Sequence, residues 1–250
     1  MTQNQSSLAG AVNNDASDPL IACILFVAGH FGQNFHRAAL SALARDEQGN
    51  LPFHQAAPLL ASLAPAEREG CRAAAAQGLV MMQADELDAA DTLLLGRTAG
   101  CGDDPVFWRA LGRLHLTRDR AGAAADAFGE ALTLQPGNDS IRNDLAVAMI
   151  AAGRPAEAAP ILSDLARRIP GQPETVINLD YANGMMGRTP SRRESDNDAF
   201  WSQRLQYAGY GALSAGKAAL GEALLGQALI ERPRYDAQLW RQYSEVSGKR

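Results

Sequence analysis

The sequence predicts an all-α fold in which helical hairpins stack into a solenoid behind an N-terminal helical segment. Three observations carry that expectation. The 250 residues are 46% hydrophobic but only 6% aromatic, and alanine is abundant, which suits closely packed helices better than a sandwich filled by bulky side chains. Small residues recur with a 34-residue period through the second half of the chain. Glycine and proline punctuate that period, with Gly153, Gly187 and Gly216 between apolar runs and Pro136, Pro170 and Pro233 after them.

Charge and cysteine usage exclude several function classes. A net charge of −5 lacks the basic stripe that displaces counterions from phosphates, so no nucleic-acid partner is expected. No run approaches the roughly 18 apolar residues that span a bilayer, so no membrane insertion is expected. Cys23, Cys71 and Cys101 are odd in number and widely spaced. With His30, His36, His54 and His115 they make no zinc pattern, and they are read as three reduced, structural thiols.

Taken in order, residues 1–17 are small and polar and read as a disordered tail. Residues 18–70 form a helical segment, with three short helices across 18–63 and turns near Gly32 and Gly49-Asn50. The solenoid is expected over 71–247. Its first hairpin, 71–104, places Gly78, Ala90 and Leu94 at positions 8, 20 and 24. The second, 105–138, has Trp108, Leu111, Gly112, Ala124, Phe128, Ala131 and Pro136 at 4, 7, 8, 20, 24, 27 and 32. Gly112 and Ala124 are small where two helices must cross, the larger residues fill the space beside them, and Pro136 stops the second helix.

The third hairpin, 139–172, repeats the pattern through Leu145, Ala146, Ala158, Leu162 and Pro170. The fourth, 173–201, is degenerate. Its first helix survives, but RTPSRRESDND (188–198) has no apolar face and reads as a solvated loop. The register then slips, and 202–235 regains the pattern with Ala208, Gly209, Gly221 and Leu225. An amphipathic helix over 236–247, with Leu239, Trp240 and Tyr243, is expected to cap the stack.

The residues from Trp108 to Pro136 resemble the tetratricopeptide repeat (TPR) family. The resemblance implies a right-handed solenoid that grips a protein or peptide partner in a concave groove. Matching the family's groove positions gives Arg109, Arg113 and Leu116, then Asn143, Val147 and Ile150. Further along they give Ile177, Tyr181 and Gly184, and finally Gln206 and Tyr210. The expected ligand has an acidic group near Arg109 and Arg113 and an apolar or aromatic part over Ile177, Tyr181 and Tyr210.

IRNDLAVAMIAAGRPAEAAPILSDLAR and VINLDYANGMMGR also resemble the TPR proteins of tight-adherence pilus assembly, the TadD type, which implies a role in surface-structure assembly. That family's lipoprotein box has no counterpart. Asp15, Ser17, Asp18 and Pro19 precede Cys23 where an apolar stretch is required, and no Lys or Arg precedes Arg37. A cytoplasmic protein is therefore expected.

Residues 18–63 resemble the start of the bacteriocin-processing cysteine-peptidase-like domain of type I secretion transporters. Cys23 falls on the second cysteine and His30-Phe31-Gly32 on the turn, while Pro19 occupies the nucleophile's place. This implies a non-catalytic, substrate-holding module, and a cysteine peptidase acting through Cys23 is the remote alternative. No phosphate-binding loop, GxSxG, HExxH or dinucleotide fingerprint is present. Asp85, Glu86, Asp88 and Asp91 lack the spacing of a calcium loop and read as a solvated helix face. The sequence thus predicts a non-enzymatic adaptor without cofactor or metal, working in bacterial secretion or pilus assembly. A substrate-recognition factor for type I secretion is the alternative.

Overall fold

Five residues with left-handed backbone set the rhythm of the chain. The computed structural model describes residues 70–248. The tail, the helices and peptidase-like features expected over 18–63, and Cys23 lie outside the described residues. Within them Asp85, Asp119, Gly153, Gly187 and Gly216 have φ between 55° and 82°. The first four stand 34 residues apart and the fifth follows after 29. Beyond each, one amide reaches five residues back: Glu86 to Met81, Arg120 to His115, Arg154 to Met149, Arg188 to Asn183 and Lys217 to Ala212, all at 2.8–2.9 Å. This closure satisfies carbonyls that a helix end leaves orphaned.

Between the closures lie ten α-helices, with no strand among the described residues. They are α1 (Cys71–Gln83), α2 (Leu87–Arg97), α3 (Pro105–Thr117), α4 (Ala121–Leu134), α5 (Asp139–Ala151), α6 (Pro155–Arg168), α7 (Pro173–Met185), α8 (Asp198–Ser214), α9 (Ala218–Glu231) and α10 (Ala237–Ser247). The fold is all-α, as the sequence predicts. It divides into two compact units between Ile141 and Arg142.

In the first unit small residues meet large ones across each hairpin. A side chain at Gly78 would lie 2.7 Å from Leu94, and one at Gly112 would lie 2.7 Å from the Phe128 ring. Ala73 to Ala76 on α1 are wholly buried with Leu94, Phe107 and Leu114. Burying each of the larger side chains contributes about 1.5–3 kcal/mol. Asp104 caps α3 by accepting from the amides of Val106 (2.8 Å) and Phe107 (3.1 Å), and it pairs with Arg72 of α1 at 3.0 Å. Pro105 at the first helical position loses no hydrogen bond there.

Two readings of this unit are corrected. Cys71 and Cys101 are joined by a disulfide with a Cα–Cα separation of 5.4 Å, so they are not reduced thiols. The bridge ties the start of α1 to the turn before α3, a pairing that a 30-residue separation in sequence conceals. The acidic cluster is not simply solvated either. Asp91 accepts from Arg118 Nε at 3.1 Å and from Arg120 Nη2 at 2.7 Å, and Asp88 pairs with Arg118. These bonds lock α2 to the turn after α3. The Arg120 hydrogen bond is the main cause holding the Asp91 carboxyl below its usual range.

In the second unit α5 and α6 meet through Ala146, Ala158 and Leu162, with Leu179 of α7 against them. The next contact departs from the repeat. A side chain at Gly184 would lie 1.9 Å from the Ala208 carbonyl oxygen, and one at Gly211 would lie 2.0 Å from that of Tyr181. α7 and α8 therefore cross backbone to backbone. α8 then packs on α9 through Gly209 against Leu225 and Gly221 against Leu213. Leu239 of α10 is buried on the same core.

Candidate functional site

No second helix follows α7 in its hairpin, and the loop 188–197 is held by a buried ionic network instead. Arg204 of α8 donates through Nε to Asp180 Oδ2 at 2.6 Å and through Nη2 to Oδ1 at 3.1 Å. Its Nη1 donates to Asp196 Oδ2 at 2.5 Å and to the Ser191 carbonyl at 3.0 Å. Arg204, Asp180 and Asp196 are at most 6% exposed. Trp201 lies 5.5 Å beneath the guanidinium. Burial pushes the Asp180 carboxyl up, and the Arg204 guanidinium pulls against that shift. Arg192 pairs with Asp198 at 2.5 Å and with Glu231 at 3.5 Å. The solvated excursion expected of this loop is therefore a pinned strap.

With α7 and α8 locked together, the second unit opens two clefts. One, of about 520 Å³, is walled by Val147 and Ile150 of α5, Asn178, Tyr181 and Met185 of α7, and Tyr207 of α8. Its surface is mainly apolar, with two tyrosines on its walls. The other, of about 830 Å³, lies against α8 and α10 and is polar, with Gln203, Gln206, Gln242, Tyr207, Tyr210 and Arg234 on its walls. Tyr210 Oη accepts from Gln206 Nε2 and donates to Gln242 Oε1. Burial raises the pKa of that hydroxyl, so it stays a neutral donor. Tyr207 and Tyr210 meet edge to face at 5.7 Å.

The residues expected to form the groove separate accordingly. Val147, Ile150 and Tyr181 share the apolar cleft, and Asn143 stands beside it, accepting from Asn178 at 3.4 Å. Gln206 and Tyr210 face the polar cleft. Ile177 is 9% exposed and belongs to the core, and Gly184 is consumed by the crossing with α8. Neither offers a surface, which corrects their place in the groove. Arg109, Arg113 and Leu116 lie on α3 of the first unit, spaced four and three residues apart and partly buried. Met185, Asn178 and Tyr207 escaped the sequence reading. Tyr207 reaches the cleft because α8 meets α7 through Ala208 and Gly211, a register that the slip after Gly187 hides.

His115 of α3 is buried, and its Nδ1 has no hydrogen-bond partner. Desolvation, reinforced by the charge of Arg120, holds its pKa below the ordinary histidine value. Among the described residues no cluster of histidine, cysteine and carboxylate side chains is placed to hold a metal. No described helix is long and apolar enough to cross a membrane.

Residues 115–175 match the family model of the tetratricopeptide repeat. Among solved structures, the chain is similar to the APC/C hetero-tetramer Cut9-Hcn1, with 13% identity, TM-score 0.51, and 76% of this chain and 39% of that one covered. It is also similar to PilW, described as a widely conserved type IV pilus biogenesis factor, with 13% identity, TM-score 0.49 and coverage of 71% and 86%. YrrB, described as a TPR protein with an unusual peptide-binding site, is 15% identical, with TM-score 0.48 and coverage of 71% and 93%. No curated protein sequence matches the chain. The matched span, the repeated closures and the small-residue crossings make this an all-α fold of tetratricopeptide type.

Proposed function

We propose that the protein is a non-enzymatic adaptor that receives a segment of another polypeptide in the apolar cleft of its second unit. The observation that carries this reading is the cleft of about 520 Å³ in which Val147, Ile150, Tyr181 and Tyr207 present apolar and aromatic surface without closing on one another. Such a wall recognises bulky apolar side chains, while the Asn143–Asn178 pair at its edge offers amides to a peptide backbone. In the first unit, the α3 face of Arg109, Arg113 and Leu116 is proposed as a further contact surface for an acidic portion of a partner.

Work in surface-structure assembly, such as a pilus, is supported by the resemblance of residues 141–167 and 176–188 to tight-adherence pilus proteins. The type I secretion reading rests on residues 18–63, outside the described residues. The Cys71–Cys101 bridge favours an oxidising compartment over the cytoplasm expected from the sequence, because glutathione keeps cytosolic thiols reduced.

Capture from the native cell tests the adaptor reading, comparing the wild type with Tyr181→Glu and with Ser163→Glu, an exposed position on α6. The partner retained by the wild type and by the Ser163 variant should be lost from the Tyr181 variant at unchanged helical content. Equal retention by all three refutes the assignment.

A further inference from the structure

An amphipathic helix buries its apolar face and turns its polar one to water. α10 meets the first requirement, since Leu239 is fully buried and Tyr243 and Val246 pack on the same core. The second is met only in part, because Trp240 interrupts an exposed face otherwise made by Gln238, Arg241 and Glu245. Trp240 is 49% exposed, Tyr235 in the α9–α10 connection is 79% exposed, and Ile230 near the end of α9 is 84% exposed. Leu229, Tyr235 and Trp240 wall a notch of about 290 Å³, with Arg232 and Arg234 beside them.

The charges around the notch are lopsided. Asp236, its one acidic wall residue, is already engaged. It accepts from the amides of Gln238 (3.0 Å) and Leu239 (2.9 Å) and pairs with Arg232 at 2.7 Å. Arg234 is exposed and has no carboxylate at ion-pairing distance among the described residues. The surface therefore offers a tryptophan, a tyrosine and an uncommitted guanidinium, the residue types that dominate binding energy at protein interfaces.

We propose that this notch is a docking surface for an acidic polypeptide segment carrying a large apolar side chain. The apolar group lies against Trp240 and Tyr235, and a neighbouring carboxylate takes the Arg234 fork. The same charge argues against a second copy of this chain as the occupant. A two-fold contact sets the patch against itself, which brings Arg234 toward its own counterpart. No residue of the notch lines the apolar cleft of Val147 and Tyr181, so this site stands independently of the adaptor reading.

The test is an array of nonapeptides with a central leucine or phenylalanine flanked by acids, by bases or by serines, followed by fluorescence anisotropy on retained members. The wild type should retain the acid-flanked set most strongly. Trp240→Ala should weaken binding about thirty-fold, the scale of a buried aromatic anchor. Arg234→Glu should abolish the preference for acids and flatten the salt dependence, whereas Ser163→Ala, at an exposed position on α6, should leave binding unchanged. Trp240 is half buried and lies against Tyr243, so Trp240→Ala should lower the melting temperature somewhat, and binding is read at a temperature where circular dichroism shows both variants folded. Equal retention of all three peptide sets, retention of none, or wild-type binding of the acid-flanked set by Trp240→Ala or by Arg234→Glu overturns the proposal. So does a sedimenting dimer that Trp240→Ala dissolves.

Discussion

Adding one methyl group at Gly211 should loosen the second unit more than most changes of that size. The new carbon would sit 2.0 Å from the Tyr181 carbonyl oxygen, roughly 1.3 Å inside the ~3.3 Å at which a carbon–oxygen contact turns favourable. The obstacle is backbone, so no side-chain rotation relieves it, and α7 and α8 must part. Parting them opens space beside Ala182, Ala208 and Ala212, all fully buried, at about 24 cal/mol per Å³ of void. Overpacking of this kind costs about 1–3 kcal/mol, occasionally more. Replacing helical glycine by alanine returns about 1 kcal/mol, which leaves a net loss of up to about 2 kcal/mol from overpacking, to which the opened void adds. Gly129 in α4 is the control, because a side chain there meets nothing within 4 Å and Gly129→Ala should stabilise by up to about 1 kcal/mol. Urea unfolding followed by circular dichroism, with fluorescence of the buried Trp201 reporting on α8, reads both. A Gly211→Ala protein as stable as the wild type refutes the backbone crossing.

Other perturbations separate the remaining forces. Arg204→Met leaves the Asp180 and Asp196 carboxylates buried without their cation and should cost about 3–5 kcal/mol by urea denaturation; a change below 1 kcal/mol would contradict the network. Cys71→Ser opens a loop closed across 30 residues and should destabilise the first unit by about 3.5 kcal/mol on chain entropy alone. Thiol alkylation of protein taken from its native cell should label Cys71 and Cys101 only after reduction. His115 titrates below its ordinary value in the fold, so the neutral ring is the favoured form. Its stabilisation is complete above the unfolded pKa near 6.5 and is lost as pH falls below that. Asp91, also depressed, adds acid sensitivity only below about pH 4. His115→Leu should flatten the stability profile just below pH 6.5 while leaving the loss below pH 4 in place.

Parts of this structure are legible in the sequence because they are local. Gly78 with Leu94, Gly112 with Phe128 and Gly209 with Leu225 pair positions 8 and 24 of one hairpin, so a fixed spacing reveals them. The closures at Gly153, Gly187 and Gly216 show for the same reason. Asp85 and Asp119 perform the same turn unseen, since aspartate enters the left-handed region at modest cost and carries no glycine's signature. Contacts made outside the repeat positions leave no periodic trace. The Cys71–Cys101 bridge, the Asp180–Arg204–Asp196 network and the Gly184–Gly211 crossing each depend on where a neighbouring helix is set down. Of the groove residues, Val147, Ile150 and Tyr181 share a wall. Ile177 reads as surface by spacing but is core, because α7 packs on α6 on one side and directly on α8 on the other.

The degenerate fourth hairpin links the fold to the cleft. A second helix after Gly187 would have stood between α7 and α8 in the chain and set their separation by side-chain packing at 8–10 Å between axes. In its place a polar loop is strapped down by Arg204 and Arg192, and two glycines let the neighbouring helices touch. Position 8, small in the other hairpins, is here Asp180, and its charge is what holds the strap. The 29-residue step from Gly187 to Gly216 is the arithmetic trace of that replacement. It turns α8 so that Tyr207 joins Tyr181 on the cleft wall while Gln206 and Tyr210 face the polar cleft. Loss of the repeat pattern at 188–201 therefore does more than interrupt the stack, because the same departure shapes the surface that is offered to a partner.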